Sequence, residues 1–184
     1  MLIAAADTSD NWKYVSIIIG SSEDVKAIYR TLNCKDIHMR QLSIIEKNNI
    51  IKGLTIKGDV RVVCFHVNRF QIVKEIQIKV SRKKRKSKQF IEEHYNCILK
   101  EKIRKFYQQF LVSHSTTLEN IAFECDADIR KTFLHLGMKP KEAHITHELA
   151  DIIAYCNNKD RTVDKVVEKD ISEELKDELK KRCL

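Results

Sequence analysis

The stretch Val60 to Val67, VRVVCFHV, is apolar at both odd and even positions. Successive side chains of a strand point to opposite faces, so a strand with one wet face alternates apolar and polar residues. A strand apolar on both faces must be covered on both, which predicts a sheet with helices on its two sides. Leu2 to Asp7 is a short apolar run ending in an acid. Trp12 to Gly20 is rich in β-branched residues, and the polar Thr8-Ser9-Asp10-Asn11 stands between the two runs. Such a pair reads as a β-hairpin. Ile121 to Asp126 (IAFECD) reads as a fourth strand, with Ile121, Phe123 and Cys125 on one face and Ala122, Glu124 and Asp126 on the other. One further strand is expected, but the pattern does not locate it.

Helical spacing accounts for most of the remaining apolar residues. Ser21 with Asp24 resembles a capping box ahead of Val25, Ile28, Tyr29 and Leu32. A helix is expected from Ile37 to Lys52, carried by Leu42, Ile45 and Ile50 and stopped by Gly53. Phe70, Val73, Ile76 and Val80 mark another. Ile91, Tyr95, Ile98, Ile103, Phe106 and Phe110 mark a long one. Ile129 to Leu136 reads as a short helix ended at Gly137, and Thr146 to Asn157 as a helix with Leu149, Ile152, Ile153 and Cys156 on one stripe. The expected core comprises Ile3, Ile17, Ile19, Val62, Cys64, Phe65, Ile121, Phe123, Leu149, Ile152 and Ile153. Residues 1–158 are read as one α/β domain and 159–184 as a charged C-terminal helical tail, in which eight basic and eight acidic residues cancel.

Composition narrows the function classes. With 184 residues and 43% hydrophobic content the chain can bury a core. No apolar run reaches the ~20 residues that cross a bilayer. The opening MLIAAAD lacks the basic start of a signal peptide, so a cytoplasmic protein without a membrane partner is expected. The six cysteines form no close C-x-x-C pair and read as buried, reduced thiols. Nucleotide-cradling glycine loops, the H-E-x-x-H helix and the Gly-x-Ser-x-Gly elbow are all missing from the sequence. Of the 34 basic residues, six crowd into RKKRKSK (Arg82, Lys83, Lys84, Arg85, Lys86, Lys88). Without them the formal +8 falls to 28 basic against 26 acidic residues. The run is a candidate contact for the phosphate backbone of RNA or DNA, with a solvated helix junction or a nuclear import signal as the other readings. No aromatic residues are interleaved with it, so the run itself carries no signal for base stacking.

The chemistry-bearing residues are acids at the ends of elements. Asp7 closes the first strand, Asp126 closes IAFECD with Glu124 two residues before it, and Asp151 lies on the last strong helix, one turn after His147. Carboxylates brought together repel unless a divalent cation neutralises them. Hard oxygen ligands of this kind suit magnesium or manganese, which align a phosphodiester and activate a water. Each residue also has a plainer role. Asp7 can begin the hairpin turn, Asp126 can cap a helix, and Asp151 can be a solvated carboxylate. His144, His147 and Asp151 form a possible zinc set or a polar helix face. His66 reads as a satisfied core histidine.

With these residues in place, the order of elements resembles the ribonuclease H-like superfamily. More specifically, it is similar to uncharacterised, largely prokaryotic and archaeal families whose first strand ends in a D-E-S-G-like segment, here Asp7-Thr8-Ser9-Asp10. A segment like Asp36-Ile37-His38-Met39 opens a helix in those families, and their last helix carries A-D-x-x-A, matched by Ala150-Asp151-Ile152-Ile153-Ala154. Asp10 stands where those families have Gly. The helix-opening Glu is replaced, so that Asp36 or His38 would have to serve. The resemblance spans roughly Leu2 to Asn158. It implies a ribonuclease H-like mixed sheet with helices on its faces, and a divalent-metal-dependent nuclease in which Asp7, Asp126 and Asp151 hold Mg2+ or Mn2+. Asp36, His38 or an acid of the long helix (Glu92 or Glu93) would complete the set. A non-catalytic nucleic-acid or protein-binding module on the same fold is the alternative.

Overall fold

A computed structural model describes residues 1–9, 13–32, 37–81, 87–125, 130, 144–159 and 163–183. The elements are β1 (Leu2–Ser9), β2 (Tyr14–Ser21), α1 (Ser22–Arg30), α2 (Ile44–Gly53), β3 (Val60–His66), α3 (Arg69–Ser81) and α4 (Lys88–His114). They continue with β4 (Ile121–Cys125), α5 (His144–Asn158), β5 (Val166–Asp170) and α6 (Ser172–Cys183). The strands form one mixed sheet in the order β4-β1-β2-β3-β5. The expected hairpin pairs β1 with β2 antiparallel, in register from Leu2–Ser21 to Ser9–Tyr14. β4 adds to β1 in parallel and β5 adds to β3 in parallel.

The two-faced burial expected for VRVVCFHV holds for the sheet as a whole. On one face Ala4, Ala6, Ile17, Val63, Phe65 and Phe123 pack under α3, α4 and α6. On the other Ile3, Ala5, Ile18, Val62 and Ala122 meet α1, α2 and α5. All eleven residues expected in the core are buried. Phe70 is not on the buried stripe of its helix. Ile72, Val73, Ile76 and Val80 fill that face, and Phe70 stays 75% exposed.

Two expectations about the elements need correction. The helix expected from Ile37 starts only at Ile44, where Ser43 and Glu46 form a reciprocal capping box that satisfies backbone donors at the helix start. Residues 37–42 are held outside it because Ile37 and Met39 are fully buried and their N–H groups bond to α5. The C-terminal segment is not an appended tail. β5 is the strand that could not be located, and Leu175, Leu179 and Cys183 of α6 are buried in the same core as the sheet. Lys102 bridges Glu174 and Glu178, and Arg182 reaches Glu101 at 3.0 Å, so α6 is seated on α4. The expected helix at Ile129–Leu136 falls almost wholly outside the described residues.

The five described cysteines are not joined in disulfides. Cys64, Cys156 and Cys183 are buried, Cys125 is partly buried, and Cys97 is exposed rather than buried as expected. Burial pushes the Cys64 thiol up to about 12, with the nearby Glu168 carboxylate adding to the effect. It also raises the Tyr95 and Tyr107 phenols above their usual range. All three stay protonated in the fold where an unfolded chain would release its protons, at ~8.5 for the thiol and ~10 for the phenols. Above those values the unfolded state binds fewer protons, so stability falls as pH rises. Thermal melts should therefore drop progressively above about pH 9, and Cys64→Val should soften the earliest part of the drop. A melting temperature that stays flat to pH 11 would show that these groups titrate normally.

Candidate functional site

α5 lies against β1 and β2 because small residues let it approach. Ala150 and Ala154 are fully buried, and the Ser16 hydroxyl on β2 donates to the Ala150 carbonyl at 2.7 Å. Asp7 is on the same face of β1 as Ile3 and Ala5, so it faces α5. It is almost fully buried, and its Oδ1 accepts the Thr8 N–H at 2.7 Å. His147 Nε2 stands 3.9 Å from the same oxygen, an electrostatic neighbour too distant for a hydrogen bond.

One turn along α5, Asp151 Oδ2 accepts the Met39 N–H at 2.9 Å, and Glu148 Oε2 accepts the Ile37 N–H at 2.9 Å. Glu148 also receives the Tyr29 hydroxyl. The two acids are three residues apart and so share a helix face, from which they hold residues 37–39 by their backbone. This clamp fixes His38 and Arg40 at the rim. The result is a cleft of about 190 Å³ lined by Asp7, Thr8, Ile37, His38, Arg40, Gln41, His147, Glu148 and Asp151. That is below the ~300 Å³ at which small-molecule sites usually begin, so it suits a compact polar group at one point of a larger ligand.

Asp7, His38 and Asp151, selected from sequence, therefore meet in one cleft. Asp36 and Asp126 lie outside the described residues; β4 is in register with β1 up to the Ala6–Cys125 pair, one residue short of Asp7. Glu92 and Glu93 do not reach the cleft, because α4 packs on the opposite face of the sheet. Lys88 opens α4, with Nζ 3.7 Å from Glu92, and the rest of the basic run, Arg82–Lys86, lies outside the described residues. His66 is half-buried, bonds Asp170 Oδ2 through Nδ1 at 3.0 Å and stacks on Tyr14.

Glu148 and Arg40 were missed in the sequence. The signal for Glu148 was its i,i+3 spacing to Asp151. Arg40 carried none, because the segment was expected to be helical. Among the described residues no group of three His, Cys, Asp or Glu side chains is placed to hold a metal ion, and the possible zinc set of His144, His147 and Asp151 includes a side chain, that of His144, outside what is described. Two carboxylates, Asp7 and Asp151, supply hard oxygens from two sides of the cleft, and Asp151 Oδ1 accepts no hydrogen bond from described residues.

The clamp is testable directly. Glu148→Ala leaves the Ile37 N–H and the Tyr29 hydroxyl without their acceptor, at a cost of about 1–3 kcal/mol. Amide exchange at Ile37 and Met39 should quicken markedly, whereas Glu148→Gln, which keeps an acceptor oxygen, should change it little. Equal exchange in both variants would mean that packing alone holds the segment.

No protein-family model matches this chain, and no curated protein or solved structure is significantly similar to it. No helix among the described residues is long and apolar enough to cross a membrane.

Proposed function

We propose that this cleft is the site of a divalent-metal-dependent nuclease on a ribonuclease H-like fold, hydrolysing phosphodiester bonds in RNA or DNA. One observation carries the reading. Asp7, His38 and Asp151, the outer two 144 positions apart in sequence, line a single cleft. The parallel pairing of β1 with β4 supports it, because that pairing brings the ends of both acid-bearing strands to the same edge of the sheet.

Asp7 and Asp151 would hold Mg2+ or Mn2+, with Asp126 as the further carboxylate the reading requires. Such an ion, when bound, polarises the phosphodiester and lowers the pKa of an attacking water. The chain's own groups have separate tasks. The Thr8 N–H fixes Asp7, and the Met39 N–H orients Asp151 while leaving its second oxygen available. Arg40, exposed and without an ion pair among the described residues, neutralises a non-bridging phosphate oxygen. His38 at the rim gives a proton to the departing oxygen.

The non-catalytic binding module has its own support, since Glu148 and Asp151 each commit one oxygen to backbone N–H groups. The deciding experiment combines manganese-dependent cleavage of mixed RNA and DNA with thermal melting in the presence and absence of manganese. Cleavage together with a manganese-induced rise in melting temperature supports the nuclease. Neither effect in the wild type leaves the binding module.

A further inference from the structure

A second concavity of about 440 Å³ opens between α3 and α4, on the other face of the sheet from the acidic cleft. Its wall on α3 is built from Phe70, Val73 and Lys74, which share a helix face at i, i+3 and i+4. Val73 is buried and forms the floor, while the Phe70 ring stands 75% exposed above it. A single exposed apolar residue is ordinary, but this one is surrounded by charge. Arg69, Lys74 and Lys88 line the groove against one acid, Glu92, which Lys88 already faces at 3.7 Å. Lys74 makes no ion pair among the described residues, and its Nζ is 6.0 Å from the Phe70 ring centroid.

A flat apolar ring flanked by cations matches a ligand with flat faces and regularly spaced negative charges. A single nucleic-acid strand has both. A duplex hides its base faces in the stack, and an acidic peptide supplies the charge without the planar faces. The position also fits the cleft. α3 begins just after β3, and the register Ser9–Tyr14–His66 places the end of β3 at the same sheet edge as the end of β1.

We propose that the α3–α4 groove is a single-stranded nucleic-acid subsite, with one base stacked on Phe70 and the flanking phosphates on Lys74 and Lys88. The proposal rests on the reading that the ligand is a nucleic acid, and it adds the strand form and the place of contact.

The test is a fluorescence-anisotropy titration of the full chain in EDTA, so that cleavage plays no part. The probe is oligo-dT of roughly 12 nucleotides, within the ~4–16 that single-strand sites span, alongside the matching duplex. The single strand should bind more tightly than the duplex. Phe70→Ala should weaken it by about fivefold or more, leave duplex affinity unchanged, and be rescued by Phe70→Trp. Lys74→Ala should flatten the plot of log affinity against log salt by about 0.7, the contribution of one phosphate on a single strand. Since the ring is mostly in water, unchanged melting of Phe70→Ala will show that the fold is intact.

Equal binding by Phe70→Ala and wild type, or tighter binding of the duplex, would overturn the proposal. So would displacement of the strand by polyglutamate at equal charge concentration, which would point to an acidic peptide. Phe70-dependent binding by a wild type that shows no manganese-dependent cleavage would uphold this subsite and remove only the nuclease reading.

Discussion

Asp7→Asn is expected to lower manganese-dependent cleavage by about a hundredfold or more while leaving the protein folded. The substitution is nearly isosteric, and the amide oxygen can still accept the Thr8 N–H that Asp7 Oδ1 accepts now. What disappears is the negative charge in an almost fully buried position facing α5. Asp151→Asn should behave alike, since its amide oxygen can keep the Met39 N–H. The manganese-induced rise in melting temperature should vanish in both variants. Relief of repulsion among the carboxylates should leave metal-free Asp7→Asn at least as stable as wild type. Asp7 stands inside β1, paired with Ser16, rather than opening the hairpin turn as the sequence allowed. If the wild type gains no stability from manganese and Asp7→Asn melts lower than it does, Asp7 is a structural residue of that strand and the enzyme reading falls.

The largest effect on stability is expected at the C-terminus. Leu179 of α6 is fully buried in the core shared with α3, α4 and the sheet. Leu179→Ala should cost about 2–5 kcal/mol, the range for deleting a buried leucine side chain. A chain ended after Lys165 should not fold at all, because it loses β5 from the edge of β3 together with Ile171, Leu175, Leu179 and Cys183. The surface ion pairs of α6 contribute little of this, being screened by solvent. Urea unfolding of the point variant and circular dichroism of the shortened chain are the measurements. A shortened chain that melts cooperatively near the wild-type temperature would mean that the segment is dispensable.

The parts of the fold that were legible are those where burial imposes a period. VRVVCFHV announced a doubly covered strand, and within IAFECD Ile121, Phe123 and Cys125 fall on one face and Ala122 on the other, as expected. β5 was not legible because it is a short edge strand, VVEKD, exposed at four of its five positions, so it carries no apolar alternation. The stretch from Ile37 to Leu42 misled for a different reason. Its apolar residues fit helical spacing, but Glu148 and Asp151, more than a hundred residues away, offer its N–H groups better-placed acceptors. In the site, Asp7 does not close its strand as expected, because β1 continues in register to Ser9, and Asp151 stands in the middle of α5. These two acids and His38 could still be picked out by residue type. Arg40 and Glu148 could not, since their roles follow from a tertiary clamp that has no local pattern.

The pairing of β1 with β4 has a consequence for how the chain is made. Leu2 lies beside Ile121, so the amino-terminal hairpin leaves the ribosome long before its parallel neighbour exists. Until then β1 presents an open edge, a template for wrong pairings that charged or proline gatekeepers would usually guard. Its run of Ala4, Ala5 and Ala6 has neither. Contacts this distant in sequence also slow folding, since chain entropy is lost before they can form. The cleft is complete only once α5 has followed β4, so a chain that stops short of α5 cannot assemble it.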